Sequence, residues 1–150
     1  MDLSADWIVG FTDGEGCFYV GIYRHPEMKT GWQVLPEFRI VQHEKDIRLL
    51  YAIKRFFRCG KVRKNHEQRY EVCIRKLDCL KAVISFFRRH PLKTSKRFEF
   101  EKFADVVRMM QEGRHLTPDG LRKIAGIARR MNTSHHPRLE DIYKELGKKI

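Results

Sequence analysis

Four cysteines in 150 residues, Cys17, Cys59, Cys73 and Cys79, are too few and too scattered for a metal framework. None forms a CxxC pair or a C-x₂₋₄-C finger spacing, so free thiols in a reducing compartment are expected ahead of a zinc site. His135-His136 sit in a polar loop with no cysteine near in sequence, so no metal is expected there. Long apolar runs are absent too. Nothing approaches the length of a membrane span, and the N-terminus carries no signal-peptide pattern. A soluble, intracellular protein without a membrane partner is predicted, with bacterial cytoplasm and organelle indistinguishable. Low-complexity segments and long linkers are also missing. One domain over residues 1–150 is expected, long enough to bury a real core.

Acidic residues are in short supply: 19 Asp plus Glu face 31 Lys plus Arg, a net charge of +12 and a pI near 9.8. That imbalance implies a polyanionic partner, most often nucleic acid, although a ribosomal protein or an anionic membrane surface would also fit it.

Against these absences stands one concentrated stretch, Ile8-Val9-Gly10-Phe11-Thr12-Asp13-Gly14-Glu15-Gly16. Trp7, Ile8, Val9 and Phe11 can wrap a short helix, with Ser4 or Asp6 as its N-cap. Gly14 and Gly16 then stop it through positive-φ conformations. Glu15 falls at a helix C-terminus, where the dipole disfavours another negative charge unless a cation lies beside it. On spacing alone, a helix stop followed by a turn is favoured over a metal site.

After Gly16 the pattern alternates. Phe18, Val20 and Ile22 take one face; Tyr19, Gly21 and Tyr23 take the other. A connection over residues 24–31 leads to a second strand, 33–42, with Val34, Phe38 and Ile40 inward. Gln33, Leu35, Glu37 and Arg39 point outward there, and Pro36 argues for an edge position. Residues 45–57 read as a helix with Ile47, Leu50, Tyr51, Lys54 and Phe57 on one face. A second hairpin follows, with Val62, Tyr70, Val72 and Ile74 inward and its turn at 66–68. Lys61, Arg63, Asn65, Arg69, Glu71 and Cys73 point outward. Leu77, Leu80, Ile84 and Phe87 mark another helix. Phe100, Phe103, Ala104, Val107 and Met110 define a longer one over about 95–112. Thr117-Pro118 starts the next, with Leu121, Ile124, Ala125, Ala128 and Met131 as its buried stripe. A last short helix is expected over about 139–146.

This order gives an α+β domain on an αββαββα core. The polar hairpin faces fit a DNA major groove, which admits a β-ribbon and offers base edges to such side chains. Lys93, Lys96 and Arg97 cluster at a predicted helix N-terminus, where the dipole disfavours cations; a bound phosphate would relieve that conflict.

An apolar helix ending in Gly-x-x-Asp-Gly-Glu-Gly, followed by two hairpins separated by helices, resembles the LAGLIDADG homing endonucleases. The resemblance covers about residues 4–110 and implies a core over about 4–112, with two hairpins forming a DNA-binding saddle, plus C-terminal helices over 113–150. In that family the acid before the last glycine binds divalent metal, normally Mg²⁺, at the scissile phosphate. The resemblance puts Glu15 in that role with the Gly14 carbonyl as second ligand, Mn²⁺ or Ca²⁺ being able to occupy the same site. Asp13 matches a chiefly structural acid. Gln42 matches a polar residue that positions water, and Lys96 a catalytic lysine, with Lys93 able to share its phosphate. One motif copy resembles the homodimeric branch, in which Ile8, Val9, Gly10, Phe11 and Asp13 would meet a partner helix. Ile8, Val9 and Thr12 depart from the usual residues.

The implied activity is an intron-encoded, metal-dependent endonuclease making a staggered double-strand break in a roughly palindromic DNA site of ~20 bp. An RNA-binding intron maturase and a catalytically inactive DNA-binding regulator on the same scaffold are the alternatives.

Overall fold

The computed structural model of the chain describes residues 1–132, 134–135 and 139–149, with side chains described except at 134–135, 139–140 and 147–149. Contacts divide the chain into two compact units, each built from two segments: residues 1–18 with 37–98, and residues 19–36 with 99–150.

The first unit opens with α1 (Ala5–Glu15). Ser4 is the N-cap, its hydroxyl accepting from the Trp7 amide at 3.1 Å. Gly16 ends the helix, but not as expected. Its φ is −77°, an extended conformation that opens β1 (Gly16–Arg24) directly. Glycine is needed for space: a Cβ there would lie 2.6 Å from the Thr12 methyl and 2.9 Å from the Thr12 carbonyl oxygen.

β2 (Trp32–His43) follows. A 3₁₀ turn over Glu44–Asp46, with the His43 ring accepting from the Lys45 amide, leads into α2 (Ile47–Phe57). Leu50, Ala52 and Ile53 are its buried residues, whereas Tyr51 is 44% exposed, so the buried face is rotated from the expected one. β3 (Lys61–His66) and β4 (Arg69–Ile74) form the second hairpin. Glu67 turns it with φ +52°, and an irregularity between Lys64 and His66 leaves Asn65 outside the regular pairing. α3 (Leu77–Arg89) buries Leu80, Val83, Phe86 and Phe87.

An aromatic cluster makes this unit's core. Phe18 lies 5.2 Å from Phe38 and 5.8 Å from Phe87, ring centre to ring centre, and Phe56, Phe57 and Phe86 extend it. Fully burying a ring, as at Phe18, Phe38 and Phe87, contributes about 1.5–3 kcal/mol.

Cys59 and Cys79 are joined as a disulfide, with Cα atoms 6.0 Å apart; only Cys17 and Cys73 are free. The free-thiol reading is therefore wrong for two of the four cysteines, and the reducing compartment inferred from them loses that support. The pair escaped notice because the fold, not the spacing, brings the end of α2 to the start of α3.

The second unit takes most of β1 and the start of β2, with α4 (Lys96–Gln111) entering it at Glu99. α5 (Pro118–Arg129), the two-residue β5 (Ser134–His135) and α6 (Leu139–Lys149) complete it. The Thr117 hydroxyl caps α5 by accepting from the Gly120 amide. The expected stripes of α4 and α5 are buried, joined by Val106 and Met109 on α4. Trp32 donates from Nε1 to Glu145 at 3.0 Å, Arg24 pairs with Glu145 at 2.7 Å, and Arg24 lies over the Trp32 ring. β5 was not expected; it pairs in parallel with β1 at Val20 and Gly21. The His136 half of the dihistidine loop lies outside the described residues.

The strands run β3-β4-β2-β1-β5. β2 is thus internal, which corrects the edge position argued from Pro36. Its ladder with β4 spans Phe38 to His43, so Pro36 precedes that ladder and its missing donor costs no bond there. No helix among the described residues is long and apolar enough to cross a membrane.

Candidate active site and basic sheet face

Three features of the α1 C-terminus come from the first unit alone. Asp13 faces the segment before α4: its carboxylate accepts from the amides of Lys93 and Thr94 at 2.9 and 3.2 Å, and from the Thr94 hydroxyl at 2.8 Å. Burial works to raise its pKa, but those hydrogen bonds and the charge of Lys96 prevail, holding it below the usual carboxylate value. Lys96 reaches back with Nζ to the carbonyls of Thr12 at 3.1 Å and Gly16 at 2.5 Å. An ammonium has three donors, so one N–H stays available.

Glu15 is the third feature. It is exposed, and no side chain among the described residues bonds or pairs with its carboxylate. The cation that its place on the helix dipole calls for is already present in part, because Lys96 caps the same helix end. Among the described residues no three His, Cys, Asp or Glu side chains converge as a metal group. Glu15 with the Gly14 carbonyl is an oxygen pair that suits Mg²⁺, which keeps several waters and binds through one or two carboxylates plus phosphate.

β1 and β2 are neighbours in the sheet, joined over residues 25–31, where the His25 amide donates to the Gly31 carbonyl at 2.9 Å. Cys17 on β1 hydrogen-bonds Arg39 on β2. Gln42 lies three residues further along β2, paired with Tyr70 of β4. Its side chain is half-buried and bonds to no described side chain. Lys93 is exposed and contributes its amide to Asp13, while Arg97 lies over the Phe98 ring. The Lys96 ammonium is engaged with α1, so the expected three-cation cluster at the α4 N-terminus is not assembled.

The expected partner face of α1 is half wrong. Ile8 and Val9 are buried within the chain, 1% and 7% exposed, and Asp13 is turned to the Lys93–Thr94 amides. The outward face is instead Trp7, Gly10, Phe11 and Gly14. Trp7 stacks on Phe11 with ring centres 4.6 Å apart, and a Cβ on Gly10 or Gly14 would meet nothing within 4 Å. Stepping by three and four residues from Gly10 would have found both Trp7 and Gly14.

The hairpin residues divide by burial. Lys61, Asn65 and Arg69 are exposed, and Arg63 and Arg39 half-buried. Glu37 and Glu71 share their face but are each only 4% exposed, and Cys73 only 5%. These three do not project outward as expected. Burial pushes the Cys73 thiol up to about 11, so it stays protonated at neutral pH. In the second unit Tyr19 and Tyr23 join hydroxyls at 2.6 Å, and Gly21 is buried under the Tyr23 ring, which occupies the space of a side chain. Gln33 and Leu35 are half-buried. Arg75, missed from the sequence, continues the outward alternation of Arg69, Glu71 and Cys73 one step past β4. It lines, with Lys61, Arg63 and Lys76, a pocket of about 420 Å³.

Comparison with known proteins agrees with this geometry. The LAGLIDADG endonuclease family model matches residues 8–107. The chain is 34% identical over 125 residues to a probable intron-encoded endonuclease 2 of Neurospora crassa, covering 81% of this chain and 28% of that protein. The chain therefore spans little more than a quarter of that relative's length. The crystal structure of the homing endonuclease I-TnaI superposes with a TM-score of 0.93 at 60% identity, covering 97% of this chain and 99% of that one. The I-SmaMI LAGLIDADG homing endonuclease, crystallised with cleaved DNA, superposes at 0.90 and 30% identity, covering 97% of this chain and 49% of that one. With its motif helix, its two hairpins and an exposed acid at the helix end, the chain belongs to the LAGLIDADG endonuclease family.

Proposed function

We propose that this chain is a site-specific DNA endonuclease that hydrolyses phosphodiesters with a divalent metal and works as a homodimer. One observation carries the reading most directly: an exposed, unpaired Glu15 is held at a helix end that Lys96 and Asp13 fasten to the start of α4. A binding module has no evident need for so constrained a lone carboxylate.

Glu15 and the Gly14 carbonyl would hold Mg²⁺. The metal, when bound, would stabilise charge on the phosphate oxygens and lower the pKa of water. Gln42, an amide and so no strong base, would orient that water by hydrogen bonds. Lys96 would direct its remaining N–H to a phosphate oxygen or to the water. The +12 charge and the basic hairpin faces suit a polyanionic duplex, and the DNA complex of I-SmaMI supports the same substrate class.

The exposed stripe of Trp7, Gly10, Phe11 and Gly14 supports a partner helix, since small residues let two backbones approach closely. A chain that matches half of I-SmaMI fits two copies serving two DNA strands. A two-fold assembly implies a roughly palindromic site.

The test is selection from a randomised duplex library with Mg²⁺ and sequencing of the cut ends. A single, nearly symmetric site with staggered ends is expected. Retention of RNA without any cut DNA would favour the maturase reading instead. Glu15→Gln should abolish cleavage and leave binding largely intact; unchanged cleavage would remove the assignment.

A further inference from the structure

Two carboxylates lie under the basic face, where a surface built only for attraction to phosphate would carry none. The Glu37 carboxylate accepts from Arg75, at 2.6 Å from both Nε and Nη2, and pairs with Arg39 Nε at 3.5 Å. Glu71 accepts from Asn65 Nδ2 at 3.1 Å and from Arg63 Nε at 3.4 Å. Its second oxygen is buried and has no hydrogen-bond partner. Both acids are almost wholly buried, yet the side chains they hold reach solvent: Arg75 is 49% exposed, Arg63 39% and Arg39 24%.

The register places these groups together. Arg63 pairs with Glu71 across β3 and β4, and Arg39 pairs with Cys73 across β2 and β4. Negative charge here weakens attraction to DNA, and burying it is costly unless it is paired. What it supplies in return is orientation. Arg75 gives Nε and Nη2 to Glu37 and also hydrogen-bonds Cys73, which fixes the guanidinium while the side chain stays half exposed. A guanidinium held in this way suits the paired N7 and O6 acceptors of guanine, and a held amide suits the N7 acceptor and N6 donor of adenine.

Building on the endonuclease reading, we infer that Glu37 and Glu71 are positioning residues for sequence discrimination, holding Arg39, Arg75, Arg63 and Asn65 as preset readers of base edges. Each carboxylate governs one or two base pairs of a half-site, and neither takes part in hydrolysis.

The experiment compares the full wild-type chain with Glu37→Gln and Glu71→Gln on its selected target and on every single-base substitution of it, with Mg²⁺. Discrimination should fall roughly five- to hundredfold at one or two positions per half-site, and differ between the variants. Affinity for unrelated duplex and its salt slope should hold or rise, because each variant loses a negative charge. A folded variant with wild-type discrimination at every position overturns the inference. So does a uniform loss over all targets that tracks a lowered Tm. Should either variant fail to fold, Arg75→Lys and Asn65→Ala test the same arms from the exposed side, and unchanged profiles there overturn it equally. A wild type that cuts nothing overturns the endonuclease reading; a cutting wild type with unaltered variants overturns only this inference.

Discussion

Thr12 is fully buried, and its hydroxyl has no hydrogen-bond partner, while its methyl packs where Gly16 leaves room. An unpaired buried hydroxyl carries a desolvation cost of about 1–3 kcal/mol. Thr12→Val keeps the shape and removes that cost, so it should raise stability by roughly 1 kcal/mol, seen as a higher midpoint in urea unfolding. The neighbouring Asp13 makes a pH-dependent contribution. Its folded pKa lies below its ordinary 3.8, so its stabilisation is present above that value and lost as the pH falls through the folded value. Stability should therefore decline on acidification below about pH 4, and Asp13→Asn should flatten that part of the curve. Glu15, between the tethered Asp13 and the Gly16 carbonyl that Lys96 holds, is left exposed.

At the scale of elements, α2 and α3 are tied by Cys59–Cys79, across a sequence separation of 20. Closing a loop of that size restricts the unfolded chain, so reduction, or Cys59→Ser with Cys79→Ser, should lower stability by about 2–4 kcal/mol. Thermal unfolding with and without reductant measures it, and Cys17 and Cys73 should contribute nothing to the difference. α1 is an element with two assignments. Ile8, Val9 and Thr12 face the chain's own core, while Trp7, Gly10, Phe11 and Gly14 face outward. Helical periodicity separates the two stripes, but only burial says which belongs to the chain's core and which stays on its surface. The same limit applies to α2, whose buried face takes in Ala52 and Ile53 and leaves Tyr51 exposed.

For the whole molecule, the outward stripe of α1 makes assembly testable. At Gly10 an added Cβ would meet nothing within 4 Å, and Gly10→Leu replaces a poor helix former with a good one, worth up to about 1 kcal/mol for the helix itself. The protomer should stay folded or gain stability, while light scattering shows a monomer and double-strand cleavage is lost. A persistent dimer would place the interface elsewhere.

Much of the architecture was legible before any coordinates, because alternation and 3.6-residue periodicity are local records of which face is buried. Both hairpins, the five main helices and the caps at Ser4 and Thr117 follow from that record. Two glycines around an acid at a helix end drew attention to Glu15, but by themselves they read as a helix stop; the role given to it came from the family resemblance of the whole order of elements. Other features depended on distant chain segments meeting. The Cys59–Cys79 bond, the internal place of β2, β5 beside β1, and Lys96 folding back onto the α1 carbonyls all join residues far apart in sequence. Burial likewise turned Glu37 and Glu71 from apparent contacts into supports. Alternation tells which way a side chain points, but whether that direction ends in solvent or beneath an arginine is decided by what the rest of the fold lays over it.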